Sequence, residues 1–284
     1  MNRHEHPSLL RADLHSHSNC SDGVLSPSAL VERAAAQGVE LLAITDHDTT
    51  AGVADARAAA ERLGLRLIAG VEISVSWKGQ VLHVLGLNID PGHPELSAGL
   101  QRLERVRIER AERMAAKLER AGVAGALAGA QAQAGDTVPG RNHFARYLVE
   151  TGHARDLQRA FKRYLVRGAS CYVACQWATL EEALAWIAAA GGQGVLAHPA
   201  RYRMSRSALR RTLEAFSAAG GVGMEIISGN QTPEVTAALA AHAHALGLLA
   251  SRGSDFHEPG AGPELGRLAP LPAGCTPVWL DWAA

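Results

Sequence analysis

Short apolar runs of strand length alternate with Ala-rich segments of helical periodicity along most of this chain, and that rhythm limits its folds more than any other feature. The runs are "ADLHSH", "VELLAITD", "LRLIAGVEIS", "QVLHVLGLNI", "GGQGVLAHP", "VGMEIIS" and "LGLLASRGSDFH", with an eighth candidate strand in "PVWLDW". Between them lie "SPSALVERAAAQG", "TTAGVADARAAAERLG", "TLEEALAWIAAAGG" and "TPEVTAALAAHAHALG", where apolar residues recur every three or four positions. Ser26 before Pro27 and Thr179 before Leu180-Glu181-Glu182 read as helix starts, and Gly38, Gly64, Gly191 and Gly247 as stops. Strand, helix and strand in repetition predict parallel pairing in a sheet or barrel.

The rhythm breaks after Asp90. From about Leu96 to Gly168 the pattern is helical, opening with the charged segment "LSAGLQRLERVRIERAERMAAKLERAG". This divides the chain into a barrel's first part at 1–95, a helical insertion at 96–168, and the barrel's second part at 169–284. Within the insertion, "VPGRNHFARYLVE" places Arg141, His143 and Arg146 near the start of a helix opened by Gly140.

Composition removes several function classes. Basic and acidic residues each number 28, so the chain is not built to coat long duplex nucleic acid or an acidic membrane, and phosphate recognition must be local. Cys20, Cys171, Cys175 and Cys275 lack the spacing of a structural zinc site and read as reduced thiols. The N-terminal stretch has no apolar core of signal-peptide length and no run spans a membrane, so a cytoplasmic enzyme is expected.

Chemistry concentrates at the strand ends. In "DLHSHSNCSDG", His15 and His17 are two apart, which on an extended chain puts both rings on one side, able to grip one metal ion. "ITDHD" adds Asp46 and His47, "GVEIS" Glu72, "VLHVLG" His83, "VLAHPA" His198, and "GSDFH" both Asp255 and His257, again two apart. Active sites of parallel α/β barrels collect at the carboxyl ends of their strands. A lone strand histidine is more often a hydrogen-bonded core residue than a ligand, but six with several carboxylates would each need a partner to offset desolvation. A multinuclear centre satisfies them together. His242 and His244 repeat the spacing on a helix, where positions two apart do not share a face; His4 and His6 lie in the N-terminal tail, and His93 and His153 in turn-like segments. These six are not expected to bind metal. Imidazole with carboxylate and no thiolate suits Mn²⁺, Fe²⁺ or Zn²⁺, and metals roughly 3.5 to 4 Å apart sharing a carboxylate favour phosphate-ester hydrolysis.

The ordered motifs "DLHSHSNCSDG", "AITDHDT", "GVEIS", "VLGLNID", "GRNHFARYLVE", "VLAHPARY" and "GSDFH" resemble those of the polymerase and histidinol phosphatase (PHP) family, and the match covers nearly the whole chain. The resemblance is greatest to stand-alone members that act as 3′,5′-nucleoside bisphosphate phosphatases, relatives of which trim short RNA from its 5′ end. It implies an α/β fold, a distorted (β/α)7 barrel with a small all-helical insertion. It implies two or three divalent ions, most readily manganese: one on His15, His17, Glu72 and Asp255, a second on Glu72, His83 and His198, a third on Asp22, His47 and His257. Some members carry His where this chain has Asp22. Asp13 and Asp46 are expected to orient imidazoles from behind the ligands, with direct ligation by Asp46 left open. Asn142 stands where the resemblance leads one to expect Pro, implying a looser turn before His143.

The implied substrate is a nucleotide such as adenosine 3′,5′-bisphosphate, with short single-stranded RNA ends as a second class. Arg141, His143 and Arg201 are expected to bind phosphate; Arg210 and Arg211 of "HPARYRMSRSALRR" read as a solvated helix face. Asp255, His257 and Arg141 are the expected catalytic groups, though Asp255 and His257, as ligands, are not free bases. Three rivals stand beside this reading: a histidinol-phosphate phosphatase, a hydrolase of carbon–nitrogen bonds on the related amidohydrolase scaffold, and a non-catalytic metal-dependent regulatory module.

Overall fold

Glycine and hydroxyl punctuation cuts the chain into its elements as the sequence predicts. A computed structural model describes residues 10–282, which leaves His4 and His6 outside the described residues. The strands are β1 (Ala12–Asp13), β2 (Leu41–Ile44), β3 (Arg66–Trp77), β4 (Gln80–Leu87), β5 (Gln193–Leu196), β6 (Gly223–Ser228) and β7 (Leu249–Gly253). The α-helices are α1 (Pro27–Ala36), α2 (Val53–Leu63), α3 (Pro94–Arg120), α4 (Ala126–Ala134), α5 (Arg141–Glu150), α6 (Leu157–Ala160), α7 (Leu180–Ala189), α8 (Arg206–Ala218) and α9 (Pro233–Leu246). The Ser26 hydroxyl accepts the Ala29 N–H at the head of α1, and Thr179 and Glu182 close a capping box on α7. Gly64 and Gly247 end α2 and α9 in the left-handed conformation that costs glycine nothing.

The seven strands pair in the order β1 to β7. Leu14 N–H donates to Arg252 and Asp255 N–H to His15, so the two edges meet and the sheet is a nearly closed barrel. Parallel pairing holds for β1–β2–β3 and β5–β6–β7, but β4 runs antiparallel to both β3 and β5. The expectation of uniform parallel pairing is thus corrected at one strand. Only Lys78 and Gly79 separate β3 from β4; both have positive φ, at 44° and 76°, and a two-residue turn of that kind makes a hairpin and cannot make a crossover.

Strand alternation sorts the core. Leu41 and Ala43 face an interior cluster with Ala12, Leu14, Leu85, Leu87, Val195 and Ala197, while Leu42 and Ile44 face the helices outside. The segment "PVWLDW", expected as a last strand, is not one. Pro277 makes a single bridge to Ala250, then the chain turns, and Trp279 and Trp282 fold into the interior cluster, where Trp282 Nε1 bonds Gln193 at 2.9 Å. Both indoles are buried there, which takes a large apolar surface out of water.

Between β4 and α7 the regular elements of the described chain are helices, followed by an irregular stretch at 166–178, and α3 ties this region to the barrel. Its first half sends Leu96, Leu100 and Leu103 into the outer barrel core, and its second half sends Met114 and Leu118 into a separate core with Phe144, Leu148 and Leu165. No helix among the described residues is long and apolar enough to cross a membrane.

One glycine carries the barrel seam. A Cβ on Gly253 would stand 2.2 Å from His15 Cβ and 2.6 Å from Glu225 Oε1, so only glycine lets β7 pass this close to β1 and β6. Gly253→Ala is expected to lower stability by about 1–3 kcal/mol, the usual cost of overpacking, and to reduce metal uptake; urea denaturation and metal analysis of the purified protein measure both.

Candidate metal centre

The pair that the extended spacing brings together is held by a group behind it. His15 Nδ1 lies 3.1 Å from Glu225 Oε1, and because a carboxylate only accepts, that nitrogen carries a proton and Nε2 is the atom turned towards the site. Nε2 faces His17 Nε2 at 3.1 Å and Glu72 Oε2 and Asp255 Oδ1 at 3.3 Å each. An imidazole nitrogen held between two carboxylates is satisfied by a positive charge there, a proton in the free protein or a metal ion in its place.

Glu72 is shared with a second group. Its Oε1 is 2.8 Å from His83 Nδ1 and 3.1 Å from His198 Nε2, and its Oε2 is 2.9 Å from His47 Nδ1. A third group joins Asp22, His47, His257 and His17, with His257 Nε2 3.1 Å from Asp22 Oδ1. Within each of three sets (His15, His17, Glu72 and Asp255; His47, Glu72 and His83; His17, Asp22, His47 and His257) the ligand atoms lie within 4.8 Å of one another. Asp22 Oδ1, His47 Nδ1 and Glu72 Oε2 are buried and lie close to other candidate ligand atoms without a well-aligned hydrogen bond, which is what residues shaped for metal rather than for each other would show. Eight of the nine expected ligands fall in these sets; His198, expected beside Glu72 and His83, stands outside them at 3.1 Å from Glu72 Oε1, and His47 takes its place. The donor set fits divalent metals.

Their delivery differs from the expectation in two respects. His83 comes from the first half of the reversed strand β4, not from a carboxyl end; its register partner is Ser74, two residues beyond Glu72 on β3, so both reach the same face. Asp255 and His257 lie beyond the end of β7, with Asp255 at φ 56°, so a left-handed residue and not strand alternation aims them. His198 is also left-handed, at φ 30°. Non-glycine residues in that region cost of order 1–3 kcal/mol each, and two of them among nine candidate ligands mark strain kept for function.

The supporting residues are also corrected. Asp13 accepts the N–H groups of Ser254 and Gly266 at 2.8 and 2.9 Å, and Asp46 accepts Ser18 N–H, Ser18 Oγ and Ser21 Oγ at 2.6 to 2.8 Å. Each fixes a ligand-bearing loop, not an imidazole ring. The ring-orienting carboxylate is Glu225, fully buried on β6, which also accepts His198 N–H at 2.5 Å. Its only sequence signal was one acid in the otherwise apolar "VGMEIIS". Asn142 does not loosen its turn: its amide donates to Asp22 Oδ2 at 2.6 Å.

Electrostatics follow from this crowding. Burial disfavours charge on His17, but the hydrogen bonds and charges of Asp255 and Glu72 outweigh it and raise its pKa to about 10. Burial likewise opposes ionisation of Glu72, yet His47, His83 and His15 hold its pKa well below the carboxylate range. For His83 burial wins over Glu72, lowering its pKa to about 4.

The centre opens into a cavity of about 240 Å³ walled by Arg107, Arg110, Arg141 and Arg201. Arg201 is ion-paired with Asp255. Arg210 pairs with Glu214 on exposed helix surface, as expected. His143 does not face this cavity. It lines an adjoining one of about 300 Å³, and its Nδ1 accepts Gly140 N–H at 2.9 Å. Burial lowers its pKa to about 4, so it braces the start of α5 as a neutral ring and brings no positive charge to a phosphate.

Two measurements follow. Glu225→Gln should weaken metal affinity by about 10–100-fold, the usual effect of losing a ligand's orienting partner. Because His17 holds its proton up to about pH 10, chelator-treated protein should release protons on metal uptake and bind more tightly as pH rises from 6 to 9. Calorimetry in buffers of different protonation enthalpy reads this; an affinity flat across that range would refute it.

Comparison with known proteins agrees with the geometry. The 3′,5′-nucleoside bisphosphate phosphatase of Chromobacterium violaceum is 47% identical over 97% of this chain and 98% of its own length. The 5′-3′ exoribonuclease Rnm of Escherichia coli is 47% identical over 95% of this chain and 93% of its own. A solved structure from Chromobacterium violaceum, described as an amidohydrolase with bound sulfate and no metal, superposes with TM-score 0.91 at 47% identity, covering 95% of this chain and 94% of that one. The PHP domain family matches residues 13–229, and this chain belongs to it.

Proposed function

We propose that this chain is a metal-dependent phosphoesterase that removes the 3′-phosphate of nucleoside 3′,5′-bisphosphates. The products are the nucleoside 5′-monophosphate and inorganic phosphate. The same centre releases the first nucleotide of short 5′-phosphorylated RNA, because both reactions break the bond between O3′ and phosphorus. The observation that carries this reading is the opening of a three-group imidazole and carboxylate centre into an arginine-walled cavity. The two relatives named above have one of these activities each. The arginines favour phosphate over the carbon–nitrogen bonds of an amidohydrolase.

His15, His17, Glu72 and Asp255 would hold one ion, Glu72, His83 and His198 a second, and Asp22, His47 and His257 a third, manganese being the best candidate with iron or zinc as alternatives. Bound there, divalent ions supply Lewis acidity and a nucleophilic water at neutral pH. The protein's own groups do the rest. Arg141 and Arg201 present guanidinium forks to the phosphoryl oxygens and offset the charge that grows on them. His257, whose Nδ1–H donates to the carbonyl oxygen of Asp255 at 2.9 Å, turns Nε2 into the site as a ligand atom; as ligands, neither it nor Asp255 is a free base. Residues 96–168 act as one inserted unit between barrel parts 1–95 and 169–284; α3, with a foot in each core, supports that division. Four unpaired cysteines suit a cytoplasmic location.

The test is phosphate release from adenosine 3′,5′-bisphosphate by manganese-loaded protein, beside 5′-AMP, 3′-AMP and histidinol phosphate. The bisphosphate should be preferred, chelation should abolish turnover, and Glu72→Gln should reduce kcat by more than about 100-fold. Preference for histidinol phosphate, or no release from any substrate, would overturn the reading.

A further inference from the structure

One short segment of the helical cover is basic in a chain that is neutral as a whole. Residues 153–163 hold Arg155, Arg159, Lys162 and Arg163 against a single acid, Asp156, where net charge over the sequence is zero. That acid is already engaged. Asp156 Oδ1 caps α6 by accepting Arg159 N–H at 2.8 Å, and its Oδ2 stands 3.5 Å from Nε of both Arg155 and Arg159, whose side chains are 74% and 60% exposed. Lys162 and Arg163 are exposed too, and among the described residues neither pairs with an acid. Positions three and four apart share a helix face, so these four cations line one shallow groove of about 590 Å³ with His153. The charged helix α3 shows the ordinary alternative, with Glu104, Glu109, Glu112 and Glu119 set among its arginines. The other side of the segment looks into the site. Leu157 lines a cavity of about 480 Å³ walled also by Arg146, Arg201, Asp255 and His257, and Phe161 lines the 240 Å³ metal cavity. At Phe161–Leu165 the backbone widens into one π-helical turn, a rare feature frequent at functional sites, which sends Tyr164 and Leu165 into the core of the cover. The basic groove thus lies about one helix thickness, roughly 10–12 Å, from the cavity mouth.

We propose that Arg155, Arg159, Lys162 and Arg163 form a docking surface for the phosphate backbone of the RNA strand beyond the nucleotide being released. The proposal rests on the phosphoesterase reading and adds to it what separates its two substrate classes. A nucleoside bisphosphate is small enough to be held within the metal cavity and does not extend to this face. An oligoribonucleotide has phosphates to spare, and the 480 Å³ opening gives its strand a way out past Leu157 to Arg155 and Arg159. Contacts from exposed cations to phosphates fix position without reading bases, so they re-form as the strand advances by one nucleotide. An acidic protein would meet the same charge, but the position of the face, on the reverse of a segment that walls a phosphate-ester site, favours the polyanion that the site itself consumes.

The experiment compares wild type with the triple variant Arg155→Glu, Arg159→Glu and Lys162→Glu, with exposed Arg57→Glu on α2 as control. Manganese-loaded proteins are given adenosine 3′,5′-bisphosphate, a 5′-phosphorylated dinucleotide and a 5′-phosphorylated ten-nucleotide RNA. The triple variant should lose about 10–100-fold in kcat/KM for the ten-nucleotide strand and nothing for the bisphosphate, whose turnover also shows that the variant is folded. In wild type, kcat/KM for the long strand should fall with salt more steeply than that for the bisphosphate, by about 2 in log–log slope if three phosphates are neutralised, and the variant should abolish the difference. Fluorescence anisotropy of the labelled strand on chelator-treated protein reads binding apart from turnover, with poly-glutamate as the competing polyanion. An unchanged ratio of long strand to bisphosphate overturns the proposal, as does an equal fall on both substrates. Poly-glutamate that binds as tightly as RNA, with RNA turnover unmoved in the variant, assigns the face to an acidic protein and overturns it too. Wild-type protein that binds the strand through this face but hydrolyses neither substrate would sink the phosphoesterase reading and leave the docking surface standing.

Discussion

A single buried carboxylate organises this molecule. Glu72 is fully shielded from solvent and lies 2.8 to 3.3 Å from nitrogens of five imidazoles, those of His15, His17, His47, His83 and His198. An isolated carboxylate in such a place costs several kcal/mol, so the fold must bring donors or cations to it from every side. The barrel does so by circular symmetry, since strands far apart in sequence end within reach of one point. Where symmetry falls short, the chain bends: β4 reverses, and His198 and Asp255 take left-handed backbone. Glu225 then fixes the far side, bonding the ring of His15 and the backbone of His198 from one carboxylate.

Zero net charge conceals a division of labour. Carboxylates gather around the imidazoles at the mouth of the barrel, while the helical segment faces them with arginines from α3 and α5. Cation affinity thus comes from the barrel and anion affinity from its cover. The cavity between them suits a ligand that bridges metal and arginine, as a phosphate ester does. Trp177 assists by lying under both Arg107 and Arg110, at 5.4 and 5.5 Å, and holding their planes against the cavity wall.

Much of this was legible in the residues. The seven strands and the nine candidate ligands could be read because local rules, two-residue alternation and polar groups at the ends of apolar runs, carry the information. What escaped depends on contacts distant in sequence or on turn chemistry that was overlooked. The Lys78-Gly79 turn announces a hairpin, but the surrounding strand and helix rhythm hid it. "PVWLDW" has a strand's composition, and its tryptophans turn inward onto an interior cluster whose other members are distant in sequence. Arg110 sits in a segment dense with Glu and Arg, where a solvated face is the ordinary reading; its burial depends on Trp177 and Val173, more than sixty residues away. Asp13 and Asp46 stand beside ligands in sequence, yet backbone amides and serine hydroxyls reach them first.

Asn142 joins the two halves of this arrangement. Its amide bonds Asp22 Oδ2 while Arg146, one turn along α5, donates to the Asp22 carbonyl at 2.9 Å, so a candidate metal ligand is also the docking point of the cover. Free-energy linkage makes such an arrangement reciprocal: whatever a cation gains from a well-placed Asp22 it returns as a more firmly seated α5, and a cover loosened by mutation loosens the ion in equal measure. Filling of the metal site and rigidity of the substrate roof are therefore one thermodynamic variable, and hydrogen exchange along α5 would report the loading of a site on the opposite side of the cavity.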